Sequence, residues 1–234
     1  MITLPSPPPL SEAELLLRCE ALAGKRLGEL AEACGLAIPH NQQRHKGWSG
    51  QLLEQLLGAD ACSQPKPDFT HLRVELKTIP VDLHGKPLES TYVCVVPLQQ
   101  GVAQRWEDSW LRRKLRRVLW LPIIGPRQLA LAERKIGHAR LWSPDGTEEA
   151  LLRGDWEELN ELICHGGLET ITARMGQVLQ IRPKAADSHS RCVGVGDGGE
   201  QILTQPRGYY LRPTFTAQIL KAIRPRAASC IAHP

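Results

Sequence analysis

Asp68, Glu75 and Lys77 lie close together in the stretch PDFTHLRVELKTIP, residues 67–80. There Leu72, Val74 and Leu76 alternate with Arg73, Glu75 and Lys77, the period-two pattern of a half-buried β-strand. Residues two apart on a strand project to the same side, roughly 6.6 Å from one another, so Glu75 and Lys77 look into a common space. Asp68, in the approach to the strand, brings a second carboxylate to that point. Two carboxylates and the backbone carbonyl of Leu76 are hard oxygen ligands of the kind that suit Mg2+. Lys77 is positioned to hydrogen-bond a water held there, and the chemistry such a group serves is hydrolysis of a phosphodiester. The competing reading is a solvated strand face with an ion pair, since so short a pattern recurs by chance.

The elements that must position these residues read as follows. Residues 11–35, SEAELLLRCEALAGKRLGELAEACG, have helical apolar spacing, with Ser11 and Glu14 as a capping box and a break near Gly24. A further helix, GWSGQLLEQLLG, carries Leu52, Leu53, Leu56 and Leu57 on one side with Glu54 among them, a third candidate carboxylate leading into the charged strand. A turn at DLHGKP and a strand TYVCVVPL follow. Beyond these, SWLRRKLRRVLWLPII predicts a basic helix entering an apolar strand, DWEELNELI a helix, VLQIRPKA and YYL strands, and TFTAQILKAI a last helix. SRCVGVGDGGE reads as a flexible Gly-rich loop, because no Gly-Lys-Ser/Thr follows to make a phosphate cradle. The expected fold is α/β, a mixed sheet flanked by helices, in one domain with lobes of roughly 1–105 and 106–234.

The chain has 234 residues, 42% of them hydrophobic, enough for a packed core. Its seven cysteines are odd in number and never spaced CxxC, against a disulfide framework or zinc finger and in favour of a reducing, cytoplasmic setting. No stretch approaches a membrane span. Residues 1–10 are Pro-rich with no Lys or Arg before an apolar run, and read as a loose leader rather than a secretory signal. The net charge is +4, yet residues 182–234 hold eight Lys/Arg against three acids, leaving the remainder close to neutral. A basic C-terminal region on a neutral body points to an anionic partner, an ordinary solvated surface being the alternative. RRKLRR adds Arg112, Arg113, Lys114, Arg116 and Arg117, suited to phosphates unless Arg113 and Arg117 pair with Glu107 and Asp108.

Together KGWSGQLLE, PDFTHLRVELKTIPVD, LRRKLRRVLWLP, DWEELNELI, ITARMGQVLQIRPKAA and ILTQPRGYYL resemble the MutH DNA mismatch-repair endonucleases, over about residues 15–220. The resemblance implies the fold of type II restriction enzymes, two lobes around a DNA cleft, and a Mg2+-dependent enzyme. Such an enzyme nicks the unmethylated strand of hemimethylated GATC sites, 5′ of the G. It implies catalytic roles for Asp68, Glu75 and Lys77, with Glu54 in the same site and Asp68, Glu75, Glu54 and the Leu76 carbonyl as metal ligands. Lys46, Tyr92 and Lys114 are implied at DNA, with Arg182, Pro183, Lys184 and Ala185 at base edges and Tyr210 in the wall that senses the methyl group. Adenine N6 lies in the major groove, where an added methyl brings bulk and removes a donor hydrogen, so a close wall rejects it sterically. Without the resemblance Tyr210 would read as a core aromatic. The implied partners are double-stranded DNA, a MutL-type ATPase as activator and, indirectly, a MutS-type mismatch sensor, acting on a monomer with no membrane. The alternatives left open are an autonomous GATC restriction endonuclease and a non-catalytic DNA-binding module.

Overall fold

The computed structural model describes residues 4–39, 47–61, 64, 66–98, 105–184 and 189–221. In chain order its elements are α1 (Glu12–Leu22), α2 (Leu27–Ala33), α3 (Trp48–Leu57), β1 (Glu75–Val81), β2 (Thr91–Val95), α4 (Trp110–Leu115), β3 (Val118–Ile124), β4 (Lys135–Ile136), β5 (Arg140–Trp142), α5 (Gly146–Cys164), β6 (Leu179–Pro183), β7 (Cys192–Val195), β8 (Gln201–Thr204), β9 (Arg207–Leu211) and α6 (Pro213–Lys221). Among the described residues no helix is long and apolar enough to cross a membrane.

One sheet is mixed. β1 runs parallel to β3 from Glu75↔Val118 to Val81↔Ile124, and β4 and β5 pair antiparallel with β3. A second, antiparallel sheet has the order β2-β9-β6, and β7 and β8 form a hairpin. Both larger sheets therefore join strands from before and after residues 100–110. The mixed sheet divides two apolar cores. Leu76, Leu119, Leu121 and Ile123 join Leu15, Leu27, Leu52 and Leu53 of the N-terminal helices. Ile79, Val81, Val118 and Trp120 join Trp106, Trp156, Leu159 and Phe215 on the other side. Parallel strands buried on both faces read as apolar runs, which is why VLWLPII was legible as a strand.

Several details correct the expectations. The charged strand begins later than its alternation predicts. Residues 70–73 are a turn, closed by the Phe69↔Val74 bridge and holding Arg73 at φ +56, so Leu72 and Arg73 precede β1. Nor is β1 half-buried, since Glu75 is buried along with Ile79 and Val81 on its own face. The Ser11/Glu14 box is only half formed: Ser11 accepts the Glu14 amide, but the Glu14 carboxylate takes the amide of Leu10. The Gly-rich loop is a hairpin, whose Cys192↔Thr204 to Val195↔Gln201 ladder leaves a short turn that Gly199 makes at φ +80. Part of the leader is tied down as well. Ser6 N donates to Gln55 O, and Arg18 donates to Pro7 O at 2.6 Å and Leu57 O at 3.0 Å. Gly58 ends α3 at φ +83, and a Cβ there would lie 2.2 Å from Pro7 O, so residue 58 must be glycine.

Candidate active site

The turn after Asp68 sets the first geometry. Pairing of Phe69 with Val74 brings the residues flanking that pair, Asp68 and Glu75, alongside each other. Asp60 and Ala61 donate their amides to the Asp68 carbonyl, and Asp60 Oδ1 accepts the Thr70 amide at 2.8 Å, so the turn is held from outside. Asp68 Oδ2 accepts the amide of Leu76 at 2.7 Å. Glu75 is 3% exposed, and its amide donates to the Arg117 carbonyl just ahead of β3.

Both Glu75 oxygens are engaged. Lys77 Nζ donates to Oε1 at 2.7 Å, as same-side projection two residues apart predicts. Lys114 Nζ donates to Oε2, also at 2.7 Å, and to the Lys66 carbonyl at 3.2 Å. Glu54 completes the cluster from α3, the helix packed on β1. Burial pushes the Glu54 carboxyl above the usual carboxylate range, and the charges of Asp68 and Glu75 push it further. Burial likewise raises Asp68, with the Glu75 charge second, while the Leu76 amide and the two lysines pull it back.

Three carboxylates face two ammoniums, so the fully ionised cluster carries an excess negative charge. All the carboxylate donors are hard oxygens, the donor set that Mg2+ takes, and burial first and neighbouring carboxylates second disfavour the anions of Asp68 and Glu54. Among the described residues no three acidic, His or Cys side chains are grouped at metal-ligand spacing, and Glu75 is saturated by lysines. The chemistry of the donor set fits a divalent cation.

The residues expected at DNA gather on the antiparallel sheet. Tyr92 pairs with Tyr210 across β2 and β9, their ring centroids 5.4 Å apart at 63°. The Arg182 guanidinium lies 5.9 Å from the Tyr210 ring and Lys184 Nζ 4.6 Å from that of Tyr92. Arg182, Pro183 and Lys184 are exposed. Burial pushes the Tyr92 phenol up to about 12 and raises Tyr210, so both rings stay neutral at neutral pH. β2 links this face to the carboxylates. Its register shifts between Tyr92 and Cys94, and Cys94 is buried within the field of Lys77 and Lys114, its thiol pushed up to about 12 chiefly by burial.

Not every expected residue lies in these two groups. Lys46 and Ala185 lie outside the described residues. Lys114, expected at phosphates, sits with its ammonium on Glu75. Of the other RRKLRR cations, Arg112 pairs with Glu149 and Arg117 with Glu12, not with Glu107 or Asp108. Those two acids are taken by Arg153 and Arg105. Arg113 and Arg116 are exposed and make no ion pair among the described residues.

Three residues of the same sheet face are not among those the sequence singles out. Ser90 Oγ accepts from Gln180 Nε2 at 2.7 Å and from Arg182 Nη1 at 3.5 Å. Gln180, 5% exposed, stands opposite Tyr210. Gly208 leaves room for the tyrosines, since a Cβ there would lie 2.8 Å from Tyr92 Cε2 and 3.3 Å from Tyr210 Cε2. Only Gly208 had a readable signal, a glycine inside an otherwise strand-forming RGYYL.

Comparison with known proteins agrees with the arrangement. The family model described as DNA mismatch repair enzyme MutH matches residues 57–155, which contain Asp68, Glu75, Lys77, Tyr92 and Lys114. The DNA mismatch repair protein MutH of Serratia proteamaculans (strain 568) is 55% identical over 214 residues, covering 92% of this chain and 94% of its own. That of Yersinia enterocolitica (serotype O:8 / biotype 1B) is 53% identical over 218 residues, 93% of this chain and 96% of its own. That of Klebsiella pneumoniae (strain 342) is 54% identical over 215 residues, 92% and 93%. These relatives span the α3 and β6–β9 regions that the family model leaves unmatched.

Proposed function

The chain belongs to the MutH family of DNA mismatch-repair endonucleases, and from that premise we propose that it nicks the unmethylated strand at hemimethylated GATC sites with Mg2+. It is a phosphodiester hydrolase acting on DNA in mismatch repair. The observation that carries the finer reading is the Asp68–Glu75–Lys77 cluster, joined through β2 to a sheet face of tyrosines and cations.

Asp68, Glu54, Glu75 and the Leu76 carbonyl are the residues that would hold the metal. When bound, Mg2+ supplies Lewis-acid neutralisation of the charge that develops on the phosphate oxygens. Glu75 keeps Lys77 oriented, and Lys77 meets the scissile phosphate as a cation and hydrogen-bond donor. Lys114 holds the second Glu75 oxygen, so the carboxylate has one orientation before DNA arrives.

Arg182, Pro183 and Lys184 supply cations and shape at the base edges, and Lys46 adds a phosphate contact. Tyr210, backed by Tyr92, is a rigid neutral wall. It accepts an adenine N6 amino group but not the bulk of a methyl, and needs no charge to do so. The mixed sheet with flanking helices supports a type II restriction-endonuclease-like architecture around a DNA cleft, in which each larger sheet draws strands from both 1–105 and 106–234. The setting proposed is a cytoplasmic monomer, activated by a MutL-type ATPase that a MutS-type mismatch sensor recruits.

The test is nicking of three matched duplexes with one GATC, unmethylated, hemimethylated and fully methylated, in Mg2+ with and without a MutL-type protein and ATP. Nicks confined to unmethylated strands, stimulated by the partner and absent from fully methylated DNA, are expected. Partner-independent double-strand cleavage would instead identify a restriction enzyme, and binding without cleavage a DNA-binding module. Glu75→Ala should abolish nicking and keep GATC binding, and Tyr210→Ala should narrow the gap between hemimethylated and fully methylated DNA.

A further inference from the structure

We propose that Asp155 and Arg212 are positioning residues for the DNA-reading strands, acting through residues 173–179, which they grip from opposite sides. Asp155 lies on α5 and is 4% exposed. Its carboxylate accepts three successive amides, Gln177 at 2.8 Å on Oδ1, and Val178 and Leu179 at 2.7 Å each on Oδ2. The Arg212 guanidinium takes the carbonyls of the same segment: Gly176 at 3.0 Å, Ala173 at 3.0 Å and Met175 at 2.9 Å.

The two ions make no salt bridge with each other among the described residues. Each is solvated by one edge of the peptide chain between them, the anion by N–H groups and the cation by C=O groups. Gly176 makes the geometry possible, at φ +79, where a Cβ would lie 2.0 Å from Leu179 O and 3.3 Å from Asp155 Cγ.

What this grip sets is register. The Arg212 amide donates to Val178 O at 2.8 Å, and the next pair is Leu179↔Leu211, where β6 begins and β9 ends. From there the ladder places Gln180 opposite Tyr210 and Arg182 opposite Gly208. A slip of one residue would turn Arg182 to the other face of the sheet. Asp155 and Arg212 are distant in sequence from Asp68, Glu75 and Lys77 and form no hydrogen bond or ion pair with them among the described residues. Their part is therefore to hold Arg182 and Tyr210 in place, and it rests on the reading that those two face GATC base edges.

The experiment measures nicking of a hemimethylated GATC duplex against one with a single base of the site changed, for wild type, Asp155→Asn, Arg212→Lys and Leu27→Ala. Each is assayed well below its own melting temperature, and amide exchange of β6 is recorded alongside. Asp155→Asn and Arg212→Lys are expected to lower the cognate preference about tenfold and to expose the β6 amides, since small displacements of a reading group cost that much. Leu27, fully buried in the other apolar core, belongs to a cluster that holds no residue of the clamp, so Leu27→Ala should lose stability and keep the preference.

An unchanged preference in both clamp variants, or an equal fall in Leu27→Ala, would overturn the proposal. Should Asp155→Asn not fold, Arg212→Lys decides alone. A wild type with no GATC preference would sink the reading of the site instead, and unchanged β6 exchange in Arg212→Lys would then overturn the clamp independently.

Discussion

Lys114 reaches Glu75 from a helix 39 residues further along the chain and donates to its Oε2 at 2.7 Å. With Lys77 on the other oxygen, the carboxylate is fixed by two cations while almost wholly out of water. A charge so placed costs several kcal/mol to leave unpaired. Lys114→Met should therefore slow nicking at saturating DNA by about a hundredfold while leaving DNA affinity nearly unchanged. Single-turnover rates and binding isotherms at several salt concentrations separate the possibilities. A weaker affinity with a shallower salt dependence and a normal saturated rate would return Lys114 to the phosphate contacts.

Glu54 makes a prediction of opposite sign for stability. Its carboxyl titrates above the ordinary range when folded, because burial and then the charges of Asp68 and Glu75 disfavour the anion. The folded state thus holds the Glu54 proton more tightly than the unfolded chain does. The stabilisation is complete below the unfolded value and is lost as pH rises through the folded one. At neutral pH, in a chelator, Glu54→Gln should melt about 2 °C higher than wild type, with the gain vanishing in acid where Glu54 is itself protonated. A lower melting temperature at neutral pH would show that the carboxylate is not under this strain.

Gly208 and Tyr92 should behave as a coupled pair. A methyl group at 208 meets the Tyr92 ring edge at 2.8 Å and must displace it. Gly208→Ala and Tyr92→Leu are each expected to weaken GATC discrimination and to destabilise the fold. In the double variant the shorter side chain clears the added methyl, so the two costs should fall short of additive by about 1 kcal/mol. Additive losses in a double-mutant cycle of melting free energies would mean that the ring does not rest on residue 208.

How much of this was legible in advance depends on how far along the chain each contact reaches. Asp68, Glu75 and Lys77 could be placed together because strand period and one turn are local rules, and in the structure Asp68 accepts the Leu76 amide while Lys77 donates to Glu75. The start of the strand was misjudged because Arg73 adopts φ +56, a conformation its residue type gives no reason to expect. The cations of RRKLRR look alike in sequence, and only parallel pairing of β1 with β3 reveals that α4, just ahead of β3, delivers Lys114 to Glu75. In the hairpin of β7 and β8, glycine content masked an alternation with Cys192, Val193 and Val195, and a partner strand supplied the order that propensity withheld. The clamp of Asp155 and Arg212 had no signal at all, since its targets are peptide groups.

The acid stability of the part of the fold around β1 should depend on Glu12. Arg117 holds its carboxyl below the usual range, by hydrogen bonding first and by charge second. The same Arg117 offers its backbone carbonyl to the Glu75 amide at 3.0 Å, so the pair joins α1 to the point where β1 enters the sheet. A depressed folded value means that the unfolded chain binds the proton more readily. The contribution is present above the unfolded value and is lost as pH falls through the folded one. The two side chains are 33% and 39% exposed, so solvent limits the pair to about 1 kcal/mol. Glu12→Gln should be less stable than wild type at pH 7 by up to that amount, and the two denaturation curves should converge in strong acid. If the deficit persists undiminished below the titration of Glu12, the loss comes from packing and the ion pair has no part in it. If nicking falls with stability at neutral pH while DNA affinity holds, the joint at Arg117 also sets the position of Glu75.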